Sequence, residues 1–149
     1  MAIKLSPAIP TYNEAASIIR LCQKLIDVLS ALSLDFEIII VDDNSPDGTW
    51  RVVEDLAKQN LRIKLIRRMR ARGLASAVVS GWEVSQGEIL GVIDGDLQHP
   101  PEILEEMLDR IIKHQEIDIV VASRHVEGGW FLSRSFWTIL RSRLGIFQG

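Results

Sequence analysis

The stretch ILGVIDGDLQHPPE, residues 89–102, decides the fold: an apolar run of strand length passes straight into Asp94-Gly95-Asp96, and a helix is expected to open at Pro100-Pro101. A short apolar run bounded by turn residues reads as a buried strand. Two acids at positions i and i+2 beyond such a strand are costly to pack without a partner, so the segment marks a site as well as a chain reversal. Carboxylate oxygens are hard ligands that suit Mg²⁺ or Mn²⁺. Such a metal keeps waters and bridges nucleotide phosphates rather than sitting in an all-protein cage. The competing reading is that Asp94 and Asp96 form a turn and cap the next helix, which acids do well. Taken alone, Asp-x-Asp gives the two readings equal weight.

Working outward, apolar runs of similar length occur at residues 36–41 (FEIIIV), 63–66 (IKLI) and 117–122 (IDIVVA), with a first strand expected at residues 3–9. Amphipathic segments separate them. Ile18, Cys22, Leu25, Leu29 and Leu32 recur at spacings of three and four, the stripe of a half-buried helix. Val52, Val53 and Leu56 repeat that spacing after a turn at residues 45–48; Ala75, Val78, Val79 and Trp82 form a third stripe ending near Gly87. Ile103, Leu104, Met107, Leu108 and Ile111 form a fourth. Strands alternating with helices predict an α/β fold with a mostly parallel central sheet covered on both faces, a Rossmann-like three-layer sandwich.

In such sheets ligands bind beyond the carboxyl ends of the strands. The acids gather there: Glu14 after the first strand, Asp42 and Asp43 after the second, Asp94 and Asp96 after a later one. Each taken singly reads as a solvated loop residue. Together they would repel one another unless cations or hydrogen-bond donors intervene, and a divalent metal would relieve that.

Bulk composition narrows the function. At 149 residues with 47% hydrophobic and 25% charged content, the chain has enough apolar material for one globular domain, expected to span residues 1–149. A formal net charge of −3 argues against a nucleic-acid partner, since such domains carry a basic excess. The one cysteine, Cys22, falls in an apolar helical phase and reads as a small core residue in a reducing, cytoplasmic compartment. No run approaches the roughly 18 apolar residues of a membrane span.

Three motifs follow in order: Pro10-Thr11-Tyr12-Asn13-Glu14, then Val41-Asp42-Asp43-Asn44-Ser45-Pro46-Asp47-Gly48-Thr49, then Asp94-Gly95-Asp96-Leu97-Gln98-His99-Pro100-Pro101-Glu102. Together they resemble the family-2 glycosyltransferases of GT-A fold, and most closely the dolichyl- or polyprenyl-phosphate mannosyltransferase branch. Ser123-Arg124-His125-Val126-Glu127-Gly128-Gly129 resembles that branch's Ser-Arg-aromatic segment before paired glycines. Arg67, Arg68, Arg70 and Arg72 before Gly73-Leu74-Ala75 resemble its basic segment before a Gly-Leu-Gly turn, with Ala75 in place of the second glycine. As a bare charge run, the arginines read equally as a solvated face.

The resemblance implies a nucleoside pocket lined by Pro10, Tyr12, Glu14, Val41 and Asp43, with the Tyr12 ring offered to the base. Asp94, Gly95 and Asp96 would meet the ribose and diphosphate; Asp94, Asp96 and Gln98 would hold Mg²⁺ or Mn²⁺. Arg72 would approach the donor phosphates, and Arg124 would stand with Asp96 at the reaction centre. The implied reaction moves a hexose, mannose first, from a nucleotide-diphosphate sugar to a polyprenyl phosphate at a membrane surface. GDP-mannose is the first donor and UDP-glucose the alternative. The implied location is peripheral, at the cytoplasmic membrane face.

Beyond Gly129 the pattern departs from the family, and the acceptor-side half expected after it is absent, so a further segment or a membrane-anchoring partner is the implied complement. Trp130, Phe131, Phe136 and Trp137, with Arg134, Arg141 and Arg143, read either as a lip against lipid headgroups or as part of a core. His99, His114 and His125 read as helix-start or surface residues. Two other classes stay open: a non-catalytic nucleotide-sugar or metal-binding remnant, and a nucleotidyltransferase, for which residues 10–14 lack the expected glycine-rich basic loop.

Overall fold

A computed structural model describes residues 5–97, 100–122 and 138–141. The elements run β1 (Leu5–Thr11), α1 (Ile18–Ala31), β2 (Ile38–Asp42), α2 (Thr49–Gln59), β3 (Ile63–Arg67), α3 (Leu74–Glu83), β4 (Ile89–Val92), α4 (Ile103–Lys113), β5 (Ile119–Val121) and β6 (Thr138–Arg141). They build one six-stranded sheet in the order β3-β2-β1-β4-β6-β5. The first four of these are mutually parallel, and β6 lies antiparallel between β4 and β5. The α/β class and the mostly parallel sheet expected from the alternation are therefore present.

Alternation of side chains along each strand divides the core in two. Leu5, Ile9, Ile38, Ile40, Ile89 and Ile139 face one side, where α1, α2 and α4 cover them with Leu21, Leu25, Val53, Leu104 and Leu108 among others. Ile39 and Val41 face the other side and meet Ala77 of α3. The result is three layers.

The chain moves outward from β1 through β2 to β3 and then returns to place β4 on the opposite flank of β1. That reversal is the switch point at which an open parallel sheet forms a crevice. The loops after β1, β2, β3 and β4 all open at this carboxyl edge. At the other end the buried Glu37 ties the sheet together. It accepts from the Ser6 hydroxyl and the Gln86 amide, both at 2.6 Å, and pairs with Lys64.

Several boundaries differ from expectation. The first strand begins at Leu5 and reaches Thr11, and residues 1–4 lie outside the described ones. The turn at Pro100 and Pro101 precedes α4, whose first residue is Ile103. In α3 the buried set is Ala77, Val78 and Gly81, while Ala75 and Val79 face solvent. The stripe is shifted because the helix lies too close to the sheet for larger residues: a Cβ on Gly81 would stand 2.8 Å from the Ala8 Cβ. The strand expected at residues 117–122 is short, ends the sheet order, and leaves Ile119 and Val121 half-exposed rather than buried. β6 was not anticipated. Four residues with no alternation of polarity give no strand signal, and their placement comes from pairing with β4 and β5.

Candidate active site

The switch point holds a cleft of about 360 Å³. Pro10, Thr11, Tyr12 and Glu14 line it from the end of β1; Asp43 enters from β2 and Asp94 from β4. Arg72, Gly73, Leu74 and Ala77 close it from the β3–α3 side. Parallel strands carry these residues to one edge, so six of the sequence-predicted site residues meet although they come from the ends of four different strands.

The β1 and β2 loops are laced together by two carboxylates that the cleft does not expose. Asp42 is fully buried and accepts from the Thr11 hydroxyl at 2.9 Å, the Ser45 hydroxyl at 2.6 Å and the Ser45 amide at 2.8 Å. Asp47 accepts from the Ala15 amide at 3.1 Å and from both the amide and hydroxyl of Thr49. The Thr49 hydroxyl in turn accepts from the Glu14 amide at 2.9 Å. Slight desolvation raises the Asp47 carboxyl pKa, but the bonds from Thr49 and Ala15 outweigh it and hold the group below its usual range. Hydrogen-bond donors thus relieve the expected repulsion at Asp42, with no metal needed there.

Glu14 reaches across to the fourth loop. The Ser17 hydroxyl donates to Glu14 Oε2 at 2.7 Å and lies 3.1 Å from the Gly95 carbonyl oxygen. Although Ser17 occupies the N-cap position of α1, it makes no side-chain capping bond. Its hydroxyl instead joins the β1 loop to the Asp94-Gly95-Asp96 turn. Gly95 is buried against this contact, and a methyl group there would sit 3.4 Å from the Glu14 Cγ, an ordinary van der Waals distance.

Asp43 is engaged on both oxygens. Arg68 Nε donates to its Oδ1 at 2.6 Å, and the Gly73 amide donates to its Oδ2 at 2.9 Å. Arg72, four residues on, places its guanidinium carbon 5.1 Å from the centre of the Tyr12 ring. Arg67 points away: it holds Asn44 Oδ1 and stacks on Trp50 at 3.4 Å. The four-arginine run therefore divides into a buried ion pair at Arg68, an aromatic stack at Arg67, a cleft wall at Arg72 and an exposed side chain at Arg70.

Asp94 and Asp96 do not cap the next helix, whose N-cap residue is Glu102. Both acids are half-buried in the turn after β4, and Leu97 immediately after them has a left-handed backbone, φ 60°. Among the described residues no three His, Cys, Asp or Glu side chains stand close enough to hold a metal unaided. Asp94 and Asp96, two residues apart on one turn, offer the oxygen ligands that suit a hard cation, which would complete its shell with substrate phosphates and water.

Of the other predicted positions, Val41 is completely buried with Ile39 and Ala77 and supports the cleft from below without lining it. Gln98, His99 and Arg124 lie outside the described residues, as do the aromatic residues 130–137. Sequence reasoning passed over Ser17, Ser45 and Thr49 as site-builders, and took Arg68 only as a member of the run. Their hydroxyls and charge acquire a role only when distant loops meet.

The sequence and the fold match known proteins. The family model for glycosyl transferase family 2 matches residues 6–148. The chain belongs to that family. A dolichol-phosphate mannosyltransferase from Pyrococcus furiosus is 37% identical over 147 residues, covering 99% of this chain and 40% of that protein. The dolichol-phosphate mannosyltransferase of Saccharomyces cerevisiae is 37% identical over 115 residues, covering 76% of this chain and 43% of its own length. This chain thus spans less than half the length of these relatives. A mannosyltransferase from Pyrobaculum calidifontis, solved in complex with GDP-Man and Mn²⁺, shares the fold with a TM-score of 0.71 at 20% identity, over 100% of this chain and 47% of that one. Family membership accounts for the ordered motifs and the expected glycosyltransferase sheet.

Proposed function

We propose that the cleft binds a nucleotide-diphosphate sugar, GDP-mannose first, and that the chain contributes the donor half of an inverting hexosyl transfer to a polyprenyl phosphate. The observation that carries this reading is the meeting of Tyr12, Glu14, Asp43, Arg72 and Asp94 at one switch-point cleft. The names of the two dolichol-phosphate mannosyltransferase relatives support the acceptor class, and the GDP-Man complex of the Pyrobaculum calidifontis enzyme supports the donor.

In this reading the Tyr12 ring takes one face of the base, and Glu14 and Asp43 accept from its ring or ribose donors. Arg72 meets the phosphates, because a guanidinium binds phosphate through paired N–H groups. Asp94, Asp96 and Gln98 hold Mg²⁺ or Mn²⁺, which when bound neutralises charge developing on the leaving diphosphate. The bond from the anomeric carbon to the diphosphate breaks with the electron pair leaving on oxygen, and a bond to the acceptor phosphate oxygen forms on the opposite face. A phosphate monoester with a second pKa of about 6 is largely ionised at neutral pH, so no side chain has to remove a proton. Arg124 is assigned to the reaction centre, beside the departing phosphates.

No helix among the described residues is long and apolar enough to cross a membrane. Encounter with the lipid acceptor is proposed to be peripheral, at a membrane surface. Binding is tested before turnover, by calorimetric titration with GDP and with UDP in Mn²⁺ and in EDTA. The expected result is metal-dependent binding with GDP preferred, lost in Asp96→Ala; undiminished metal-dependent binding in that variant overturns the assignment of the metal site. Turnover is then assayed with a polyprenyl phosphate, and binding without transfer would favour the non-catalytic reading.

A further inference from the structure

The wall of the cleft opposite Tyr12 hangs on a buried ion pair whose arginine the proposed chemistry does not use. The side chains of Arg68 and Asp43 are 7% and 10% exposed. Arg68 Nε and Nη2 both lie 2.6 Å from Asp43 Oδ1. Its Nη1 donates to the Ser76 hydroxyl at 2.8 Å and its Nη2 to the Gly73 carbonyl at 3.0 Å. Asp43 Oδ2 accepts from the Gly73 amide. Both backbone polar groups of Gly73 are thus held by one ion pair.

Gly73 needs holding. Its φ of 122° and ψ of 142° lie in the mirror-image extended region that L side chains avoid. The residue before it is Arg72, whose guanidinium lies over Tyr12, and the residue after it is Leu74, which lines the cleft. A buried ion pair seldom stabilises a fold more than well-packed apolar residues of similar size would, so its consequence here is sought in geometry.

We propose that Arg68 is a positioning residue: through Asp43 and Gly73 it sets residues 72–74 in place before a ligand arrives, and so fixes the Arg72 guanidinium over the Tyr12 ring. The inference rests on the donor-binding reading of the cleft and deepens it. A wall ordered in advance spares the ligand the cost of ordering it. Arginine is required because a planar fork reaches Asp43, Gly73 and Ser76 together, whereas a lysine ammonium occupies one point.

Tyr12 is the chain's one tyrosine, so 3-fluorotyrosine labelling gives a single ¹⁹F resonance beside Arg72. Arg68→Lys is expected to move that resonance in the direction produced by Arg72→Ala and to weaken GDP binding about tenfold, the ordering cost having returned to the ligand. Gly73→Ala, which leaves both charges in place, should move the resonance likewise. Glu37→Gln, at the far end of the sheet, should leave it unmoved however much stability it loses. An unmoved resonance in Arg68→Lys and Gly73→Ala overturns the proposal, as does unchanged GDP affinity in a chain whose unmodified form binds GDP. If the unmodified chain binds no GDP while the resonance moves as expected, the donor-binding reading fails and the positioning of Arg72 by Arg68 stands.

Discussion

The guanidinium carbon of Arg72 lies 5.1 Å from the centre of the Tyr12 ring, joining the loop after β1 to the turn before α3 across the mouth of the cleft. An exposed contact of this kind is worth roughly 0.5–1 kcal/mol, small enough for a ligand to rearrange. A planar base entering the cleft would replace or extend that stack, and the ring and the charge then serve the same ligand from two sides.

Tyr12→Ala should therefore weaken GDP binding by about 1–3 kcal/mol, the usual worth of an aromatic platform under a base, while Tyr12→Phe stays close to the unmodified chain. Arg72→Ala should weaken GDP more than it weakens guanosine, because its charge is assigned to the phosphates. Calorimetry with the two ligands separates these effects. Equal losses for GDP and guanosine would remove Arg72 from the phosphates.

Asp42 and Asp43 are neighbours with opposite duties, which gives the second prediction. Asp42 is fully buried and accepts three hydrogen bonds from Thr11 and Ser45. Its loss leaves buried donors unsatisfied and unpins two loops at once. Asp42→Ala should cost about 2–4 kcal/mol in urea unfolding, on the scale of broken bonds to a charged group. A stability unchanged within half a kcal/mol would show that the loops hold without it.

That pair marks how far the sequence could be read. Parallel strands buried on both faces leave long apolar runs, so the strands near residues 36–41, 63–66 and 89–93 were legible, and with them the edge at which their following acids gather. Which acid faces the cleft was not legible. Successive residues leaving β2 point to opposite sides, and whether Asp42 or Asp43 meets a hydroxyl, an arginine or open space depends on loops that fold from elsewhere in the chain. The same reason hid Arg68 within its charge run and Ser17 behind its capping position. β6 was hidden because its pairing is set by β4 and β5, and a four-residue segment carries too little pattern of its own.

Gly81 shows what that close packing demands. A Cβ there would stand 2.8 Å from the Ala8 Cβ and 3.2 Å from the Val41 Cγ2, both on the sheet face beneath α3. Helix propensity favours alanine over glycine by about 1 kcal/mol, but the clash requires the helix to lift. Gly81→Ala should accordingly destabilise the fold, by about 1–3 kcal/mol as for other overpacked sites, and by more for Gly81→Val. Denaturant unfolding measures it, and a stabilised Gly81→Ala chain would mean that α3 moves freely off the sheet.

Cys22 should be chemically silent in the folded chain. Burial among the α1 core residues pushes its thiol up to about 12, against an ordinary value near 8.5. The thiolate is the reactive form, so at pH 8 an aromatic disulfide reagent should leave Cys22 unmodified until guanidinium exposes it. A raised folded-state value means that the contribution to stability is fully present below about pH 8.5 and is lost as pH rises toward 12. Rapid labelling of the native chain would place Cys22 outside the core.

The acid side should report on Asp47. Its carboxylate is held below the usual range, with slight desolvation opposing and the Thr49 and Ala15 bonds prevailing. A depressed folded-state pKa contributes stability above the unfolded value, about 3.9, and loses it as pH falls through the lower folded value. The side chain is exposed, so the effect is a modest one carried by its hold on the Ala15 amide and the start of α2. Asp47→Asn should lower the urea midpoint at pH 6, and the gap from the unmodified chain should narrow as pH falls below about 4, where the unfolded chain takes up its proton ahead of the native carboxylate. A gap that stays constant from pH 6 to pH 2.5 would mean that the charge on Asp47 does not matter to the joining of the two loops.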